Sequence, residues 1–66
     1  MRLPVRLDQL LKLEGIAQTG GHAKLLIQDG DVRVDGEVET RRGRRLHGGE
    51  VVEIDGRQIV VDGTTT

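Results

Sequence analysis

The first apolar pattern along the chain has the period of an α-helix and covers residues 7–14. Three leucines at helical spacing share one stripe of this helix and are expected to be buried: Leu7, Leu10 and Leu11. The residues expected to point away from the core are Asp8, Gln9 and Lys12. Asp8 also lies in the first turn, where the helix dipole favours an anion. Gly15 is predicted to end the helix because glycine tolerates a positive φ.

A second helix is predicted over residues 20–29, after the connector of residues 16–18. Thr19 is a suitable N-cap residue, and Gly30 follows the last helical residue. The apolar face of this helix is formed by Ala23, Leu26 and Ile27. The residues that recur every four positions on another face are Gly20, Lys24 and Gln28. Two short helices joined by a few residues form a helical hairpin.

From Val32 onward the hydrophobic period becomes two, which is typical of half-buried strands. The predicted strands are Val32–Val34, residues 37–40, Val51–Ile54 and residues 57–61. Asp35-Gly36 and Asp55-Gly56 are predicted as two-residue hairpin turns. Residues 41–47 are predicted to be a loop, interrupted by Gly43 and ended by Gly48-Gly49. Residues 2–6 are expected to add an edge strand, since Pro4 cannot donate a ladder hydrogen bond.

This order of elements predicts an α+β fold, with the helical hairpin packed on a small, mostly antiparallel sheet of four or five short strands. The chain has 66 residues, which suits one domain. We expect that domain over residues 1–63 and a flexible tail at residues 64–66. The sequence contains no Phe, Trp, Tyr or Cys, so the core must be aliphatic and no disulfide supports it.

A net charge of −1 conceals a basic segment at residues 41–47, which carries four arginines and no acid. This arginine segment is predicted to bind phosphate, because the planar guanidinium fork matches phosphate oxygens. The absence of aromatic rings excludes modules that hold single strands by base stacking. The alternative for the arginine segment is a solvated turn whose arginines pair with Glu37, Glu39 or Glu50.

A candidate RNA-binding face combines this segment with the start of the second helix. Gly20 and Gly21 leave amides uncapped and let a phosphate approach, although the same glycines would also permit close helix packing. His22 is expected to have a free amide and side-chain reach, or else to be a solvated surface histidine. His47 would add charge in acid. The predicted RNA-binding residues are Lys12, Gly20, Gly21, His22, Lys24, Gln28, Arg41, Arg42, Arg44 and Arg45.

The chain lacks the residues that several other functions require. The chain has neither cysteine nor serine, and its two histidines lack the paired spacing of a zinc site. Residues 15–21 lack the lysine and hydroxyl of a phosphate loop, and residues 29–35 lack the ligand pattern of a calcium loop. We therefore expect no enzyme, cofactor, metal or small-molecule substrate. No apolar run has the length of a signal peptide or membrane span, so a cytoplasmic protein is expected.

Taken in order, these motifs resemble the RNA-binding domain named after small-subunit ribosomal protein S four, whose helix-and-loop core is called the αL motif. The matching segments are Leu7-Asp8-Gln9-Leu10-Leu11, Ala23-Lys24-Leu25-Leu26-Ile27, Gly30-Asp31-Val32-Arg33-Val34-Asp35-Gly36 and Gly49-Glu50-Val51-Val52. Within that family the chain is most similar to small stand-alone bacterial proteins of the YbcJ/YaaA type. The pointers are Gly20-Gly21 and residues 39–45.

The resemblance implies a non-catalytic protein that binds structured RNA, ribosomal or transfer RNA, through the second helix and the arginine segment. We expect the protein to be a monomer. Ribosomal members usually carry arginines where this chain has Gly20 and Gly21. That departure implies lower affinity or a larger share of binding for the arginine segment. Two alternatives remain. One is a protein-binding adaptor that uses the sheet edge at residues 2–6 or the Asp55-Gly56 hairpin; the other is duplex DNA binding by the same phosphate chemistry.

Overall fold

The computed structural model describes residues 3–62, in which two helices and six short strands form. In chain order they are β1 (Val5–Arg6), α1 (Leu7–Leu13), α2 (Gly20–Gln28), β2 (Val32–Val34), β3 (Glu37–Val38), β4 (Arg45–Leu46), β5 (Val51–Ile54) and β6 (Arg57–Val60). The predicted α+β class, a helical hairpin with antiparallel strands, is confirmed. The expected tail at residues 64–66 and the start of the expected edge strand lie outside the described residues.

The strands divide between two antiparallel sheets instead of forming one. Four strands lie in the order β3-β2-β5-β6, and β1 pairs separately with β4. At the predicted turn Asp35-Gly36 the φ angles are 53° and 85°, and at Asp55-Gly56 they are 53° and 77°. Positive φ at both central residues is the conformation of a type I′ turn, whose twist matches the flanking strands. Both predicted hairpins are therefore confirmed.

An aliphatic core joins the helices to both sheets. Its fully buried members are Leu7, Leu10, Leu11, Ala23, Ile27, Val32, Leu46 and Val52. Nearly buried members, at most 5% exposed, include Val5, Val34, Ile54 and Val61. The predicted apolar face of α2 is confirmed at Ala23 and Ile27, while Leu26 is only half-buried. Because Val5 and Leu46 face each other across β1 and β4, burial of this pair fixes the two-stranded sheet against the rest of the core.

Element ends differ slightly from the predicted ones. Glu14 and Asp29 are the C-cap residues of α1 and α2 and do not belong to their helical bodies. Gly15 and Gly30 follow them with φ of 74° and 81°, which confirms that glycine ends each helix in the left-handed region. The last strand ends at Val60, one residue earlier than expected.

Two larger corrections concern the segment between β3 and β5. The returning strand stops at Val38, two residues early. The prediction that residues 41–47 form a loop throughout is wrong, because Arg45–Leu46 is strand β4. The reason is burial: Leu46 is fully buried in the core, and that anchoring brings the backbone of Arg45 alongside β1.

Candidate nucleic-acid interface

The backbone of the arginine segment covers the N-terminal end of α1. The amide of Leu7 donates to the carbonyl oxygen of Arg44 at 2.9 Å, and the amide of Asp8 donates to the carbonyl oxygen of Arg42 at 3.2 Å. The first amides of a helix have no acceptor within the helix itself. The arginine segment supplies those acceptors, so α1 fixes its backbone.

Asp8 ties the side chains of this region to the same helix end. Its Oδ2 accepts hydrogen bonds from Nε of Arg42 and lies equally close to Nη2, both at 3.1 Å. Its Oδ1 accepts from the amide of Gln9 at 2.9 Å and lies 3.3 Å from Nε of Arg6. The prediction that Asp8 points away is wrong, since only 3% of it is exposed. Two guanidinium partners, which the helical pattern does not reveal, stabilise the buried charge.

Glu39 is a second buried carboxylate, placed directly after β3. Its Oε2 accepts from the amide of Arg41 at 3.1 Å and from Nε of Arg41 at 3.2 Å. Its Oε1 accepts from Nη1 of Arg44 at 3.1 Å and from Nη2 of Arg41 at 3.4 Å. The side-chain hydrogen bonds of Arg41 are the main reason that the pKa of Glu39 falls to about 2 despite burial. Glu39 is therefore ionised at neutral pH.

The pairing with Glu39 partly matches the solvated-turn alternative, yet the cations outnumber the anions. Asp8 is shared by two arginines, and Glu39 is shared by two more. Within residues 3–62, Arg45 has no ion-pair partner. The exposed fractions of the side chains are 77% for Arg41, 43% for Arg42 and 32% for Arg44. The surface therefore keeps a positive surplus that a polyanion can neutralise.

The arginine segment also has a concave shape. A shallow cavity of about 470 Å³ is lined by Arg41, Gly43, Arg44 and Arg45. Low-dielectric walls concentrate the field of charges that line a cleft, which increases the local concentration of counter-ions. The concavity suits an anion such as a phosphate group more than a flat, fully solvated turn would.

The start of α2 is capped by Thr19, and this capping engages His22 in a way that the sequence did not reveal. The amide of His22 donates to Oγ1 of Thr19 at 3.0 Å, and Nδ1 of His22 accepts from the amide of Gln18 at 3.2 Å. The expectation of a free His22 amide is therefore wrong, while the choice of Thr19 as N-cap is confirmed. The amides of Gly20 and Gly21 find no acceptor among the described residues. These two amides, and Nε2 of His22, are the donors available at this end.

Gly20 is the point where α2 and the arginine segment meet. A β-carbon placed on Gly20 would lie 3.7 Å from Nη2 of Arg42, whereas one on Gly21 would lie 3.9 Å from the Thr19 hydroxyl. The structure thus brings two predicted parts of the interface, the start of α2 and the arginine segment, into direct proximity. A phosphate at Gly20 would have both amides and a guanidinium within reach.

Other predicted residues stand apart from this junction. Lys24 and Gln28 are exposed on α2, without a hydrogen-bond or ion-pair partner in the described part of the chain. Lys12 lines a different concavity, together with Pro4, Val5, Gln9 and Leu13. The amide of His47 donates to Oε2 of Glu50 at 2.8 Å, so His47 belongs to the turn after β4.

Sequence reasoning offered Glu39 as one possible partner of the arginines but missed its burial, although the register contains the signal. Val38 lies opposite Arg33 and is 53% exposed, while the amide of Glu39 donates to the carbonyl oxygen of Val32 at 2.9 Å. The apolar residue thus points outward and the acid points inward, which inverts the usual pattern. Alternation counted from Val32 and Val34 through the two-residue turn places position 39 on the inner face. Arg6 was missed because nothing in the sequence shows which strand it faces.

Residues 3–62 contain no group of three or more His, Cys, Asp or Glu side chains that could hold a metal ion. Over the same range, neither helix is long and apolar enough to span a membrane.

Comparison with known proteins identifies relatives over nearly the whole chain. Residues 2–62 match the family model of the S4 domain. The "Putative RNA-binding protein YbcJ" of Escherichia coli (strain K12) is 44% identical over 57 residues, which cover 86% of this chain and 81% of that protein. The "Probable ribosome maturation protein RlbA" of Bacillus subtilis (strain 168) is 46% identical over 52 residues, covering 79% of this chain and 73% of that protein.

A solved structure is similar as well. The solution structure of YbcJ from E. coli, described as revealing an αL motif involved in RNA binding, matches with a TM-score of 0.68 and 40% identity. The match covers 94% of this chain and 78% of that chain. The family resemblance inferred from the ordered motifs, including the likeness to small bacterial proteins of the YbcJ type, is confirmed.

Proposed function

The chain belongs to the S4 domain family, and from that premise we propose that it is a non-catalytic, monomeric protein that binds structured RNA, ribosomal or transfer RNA. The names of YbcJ and RlbA, which refer to RNA binding and ribosome maturation, support this class of ligand. The observation that carries the proposal is the junction at Gly20, where Nη2 of Arg42 approaches the first turn of α2 and the Gly20 and Gly21 amides find no acceptor among the described residues. Free amides and surplus guanidinium groups at one place fit a phosphate backbone.

The proposed roles follow from the donors that remain available. The arginines, which neutralise phosphates, are Arg41, Arg42, Arg44 and Arg45. Gly20 and Gly21 donate their amides, and His22 contributes its imidazole. The residues that extend the face along the two helices are Lys12, Lys24 and Gln28. Because the chain has no Phe, Trp or Tyr on which bases could stack, recognition depends mainly on backbone spacing and shape, as it does for double-helical RNA.

The first test is an amide NMR titration of the labelled protein with a short hairpin RNA at low salt. We expect shifts concentrated at residues 20–24 and 41–47 and reversed by added salt. Methods that rely on tryptophan or tyrosine fluorescence do not apply, since the chain has neither residue. An absence of shifts with every RNA tested would refute the proposal and favour the adaptor alternative. Competition between RNA and DNA duplexes of one sequence tests the choice of RNA.

The salt dependence of affinity tests the mechanism. If roughly four to six phosphates are contacted, log affinity should fall with log salt at a slope of about −3 to −5. Replacing both Arg42 and Arg44 with Ala should flatten the slope by about two units. Each buried carboxylate keeps one guanidinium in that variant, Arg6 on Asp8 and Arg41 on Glu39. An unchanged slope in a folded double variant would remove the arginine segment from the interface.

A further inference from the structure

We propose that Glu39 is a positioning residue, whose buried carboxylate fixes the directions of Arg41 and Arg44 so that the site discriminates folded RNA from a flexible polyanion. This inference rests on the RNA binding proposed above and adds a determinant of specificity to it. Glu39 does not face the ligand, and as an acid beside a phosphate-binding surface it would oppose binding if only its charge mattered.

The contacts of Glu39 fix the orientation of the Arg41 guanidinium group. Oε2 accepts from both the backbone amide and Nε of Arg41, and Oε1 lies 3.4 Å from Nη2 of the same side chain. Because a guanidinium is planar, two bonds along its Nε–Nη2 edge define the orientation of the whole group. The opposite edge of Arg41, including both N–H groups of Nη1, is left without a partner in the described part of the chain.

Arg44 is held by the same carboxylate from another direction. Its Nη1 donates to Oε1 of Glu39 at 3.1 Å, and its backbone carbonyl accepts from the amide of Leu7 in α1 at 2.9 Å. One end of Arg44 is thus fixed by the helix and the other by Glu39. The separation of the two guanidinium groups is set before any ligand arrives.

The carboxylate of Glu39 lies beneath the protein surface, whereas the guanidinium groups that it holds lie closer to solvent. Only 8% of the Glu39 side chain is exposed, against 77% for Arg41. The depressed pKa of Glu39, about 2, keeps the carboxylate charged over the whole neutral range. A free arginine side chain loses considerable rotamer entropy when it is ordered on binding. Glu39 imposes that order in advance, which favours a ligand whose phosphates have a fixed spacing.

Two physical accounts of Glu39 predict opposite results. If Glu39 acts only as a negative charge, its removal should strengthen binding of every polyanion. If it positions the arginines, its removal should weaken binding of a hairpin RNA, whose phosphates are rigidly spaced. The same removal should leave a flexible single strand unaffected or bound slightly more tightly, because that ligand adapts to mobile arginines.

Glu39→Gln and Glu37→Gln form a matched pair for the test. Each removes one negative charge, and the two sites are two residues apart, but the side chain of Glu37 is exposed and has no hydrogen-bond or ion-pair partner within residues 3–62. Dissociation constants are measured at one salt concentration for a hairpin RNA and for polyuridine with the same number of phosphates. We expect Glu39→Gln to lose about five- to tenfold in affinity for the hairpin only, the scale of one ordinary hydrogen bond. Glu37→Gln should bind both ligands slightly more tightly.

A second variant keeps the two positive charges but removes the planar guanidinium groups that Glu39 orients. Arg41→Lys combined with Arg44→Lys preserves net charge but replaces two planar forks with point charges. We expect it to lose hairpin preference to a similar degree. Amide spectra and urea midpoints of all variants establish that they are folded, and Nε–Hε signals of Arg41 and Arg44 in Glu39→Gln report the loss of orientation directly.

The outcomes separate this inference from the proposed function. Equal or tighter hairpin binding by Glu39→Gln relative to Glu37→Gln would overturn the positioning role while leaving RNA binding intact. An equal loss for hairpin and polyuridine would also overturn it, because that result indicates a general structural defect. If the unaltered protein binds neither RNA, the proposed function fails and the inference fails with it.

Discussion

Carboxylates hold the two segments on either side of β4 in different ways. The first segment is residues 39–44, and the second is residues 47–50. Before β4, Asp8 and Glu39 accept hydrogen bonds mainly from guanidinium groups. After β4, Glu50 accepts from the backbone amides of His47 at 2.8 Å and Gly48 at 2.7 Å. The first segment presents cations at the surface, whereas the second uses its carboxylate to close a turn. The same functional group therefore organises a binding surface or stabilises a backbone, according to the donors that surround it.

The pKa values of the carboxylates in the two segments are also lowered by different kinds of donor. The pKa of Glu39 is lowered chiefly by the side-chain hydrogen bonds of Arg41. Burial raises the pKa of Glu50, but hydrogen bonds from backbone amides, including those of His47 and Gly48, outweigh burial and leave the pKa lowered. A phosphate ligand can reach the guanidinium donors that Glu39 leaves without a partner among the described residues. It has no equivalent access to amides that are already part of a closed turn, so we expect the first segment to respond to RNA more strongly than the second.

The largest effect is expected from Leu46→Ala, because Leu46 lies between the two segments and is fully buried. Truncation leaves a cavity, so we expect the free energy of unfolding to fall by about 2–5 kcal/mol. Urea denaturation followed by far-UV circular dichroism measures this change. Val60→Ala is the control, since Val60 is 63% exposed and should change stability little. A similar loss in both variants would mean that Leu46 does not anchor the segments.

Acid should loosen the arginine segment through Glu39. The pKa of this residue in the folded state, about 2, lies below its usual value of 4.5. Its contribution to stability is therefore fully present above about pH 4.5 and is lost as the pH falls towards 2. The carboxyl ¹³C shift of Glu39 should titrate near 2, and Glu39→Gln should show a weaker decline of stability over this range. Titration near 4.5 would indicate that the Arg41 pairing is not maintained in solution.

Glu50→Gln tests whether the second segment has only a structural role. The amide can accept one hydrogen bond where the carboxylate accepts two, so we expect a loss of about 1–2 kcal/mol in unfolding free energy. Affinity for hairpin RNA should not fall, in contrast to Glu39→Gln. Urea midpoints and dissociation constants measured on both variants make the comparison. Weaker RNA binding by a folded Glu50→Gln variant would place the turn within the interface.

The smallest effect on stability is expected from Arg41→Ala. The ion pair of Arg41 involves a side chain that is 77% exposed, and exposed pairs contribute little to folding. Glu39 also retains Arg44 in this variant. We expect only a small fall of the urea midpoint together with weaker binding of hairpin RNA. A clear loss of stability would show that the arginine segment supports the fold as well as the binding face.

Much of the fold could be predicted because its signals are local. The spacing of Leu7, Leu10 and Leu11 reflects a helix face, and the two Asp-Gly turns determine which strands are hairpin neighbours. The division into two sheets could not be predicted, because β1 and β4 pair across about 40 positions of sequence separation, and no local pattern specifies such a distant partner. The burial of Asp8 was missed for the same reason, since Arg42 is a distant residue.

The sequence by itself determined the two helices, the two hairpins, the aliphatic core and the family, because each depends on residues close together in the chain or on ordered motifs. It also identified the arginine segment as the concentration of positive charge. Only the tertiary structure decided how that charge is arranged, by placing Gly20 beside Arg42 and Glu39 beneath Arg41 and Arg44. The amount of charge is a property of composition, whereas the orientation of the charged side chains depends on contacts between residues that only folding brings together.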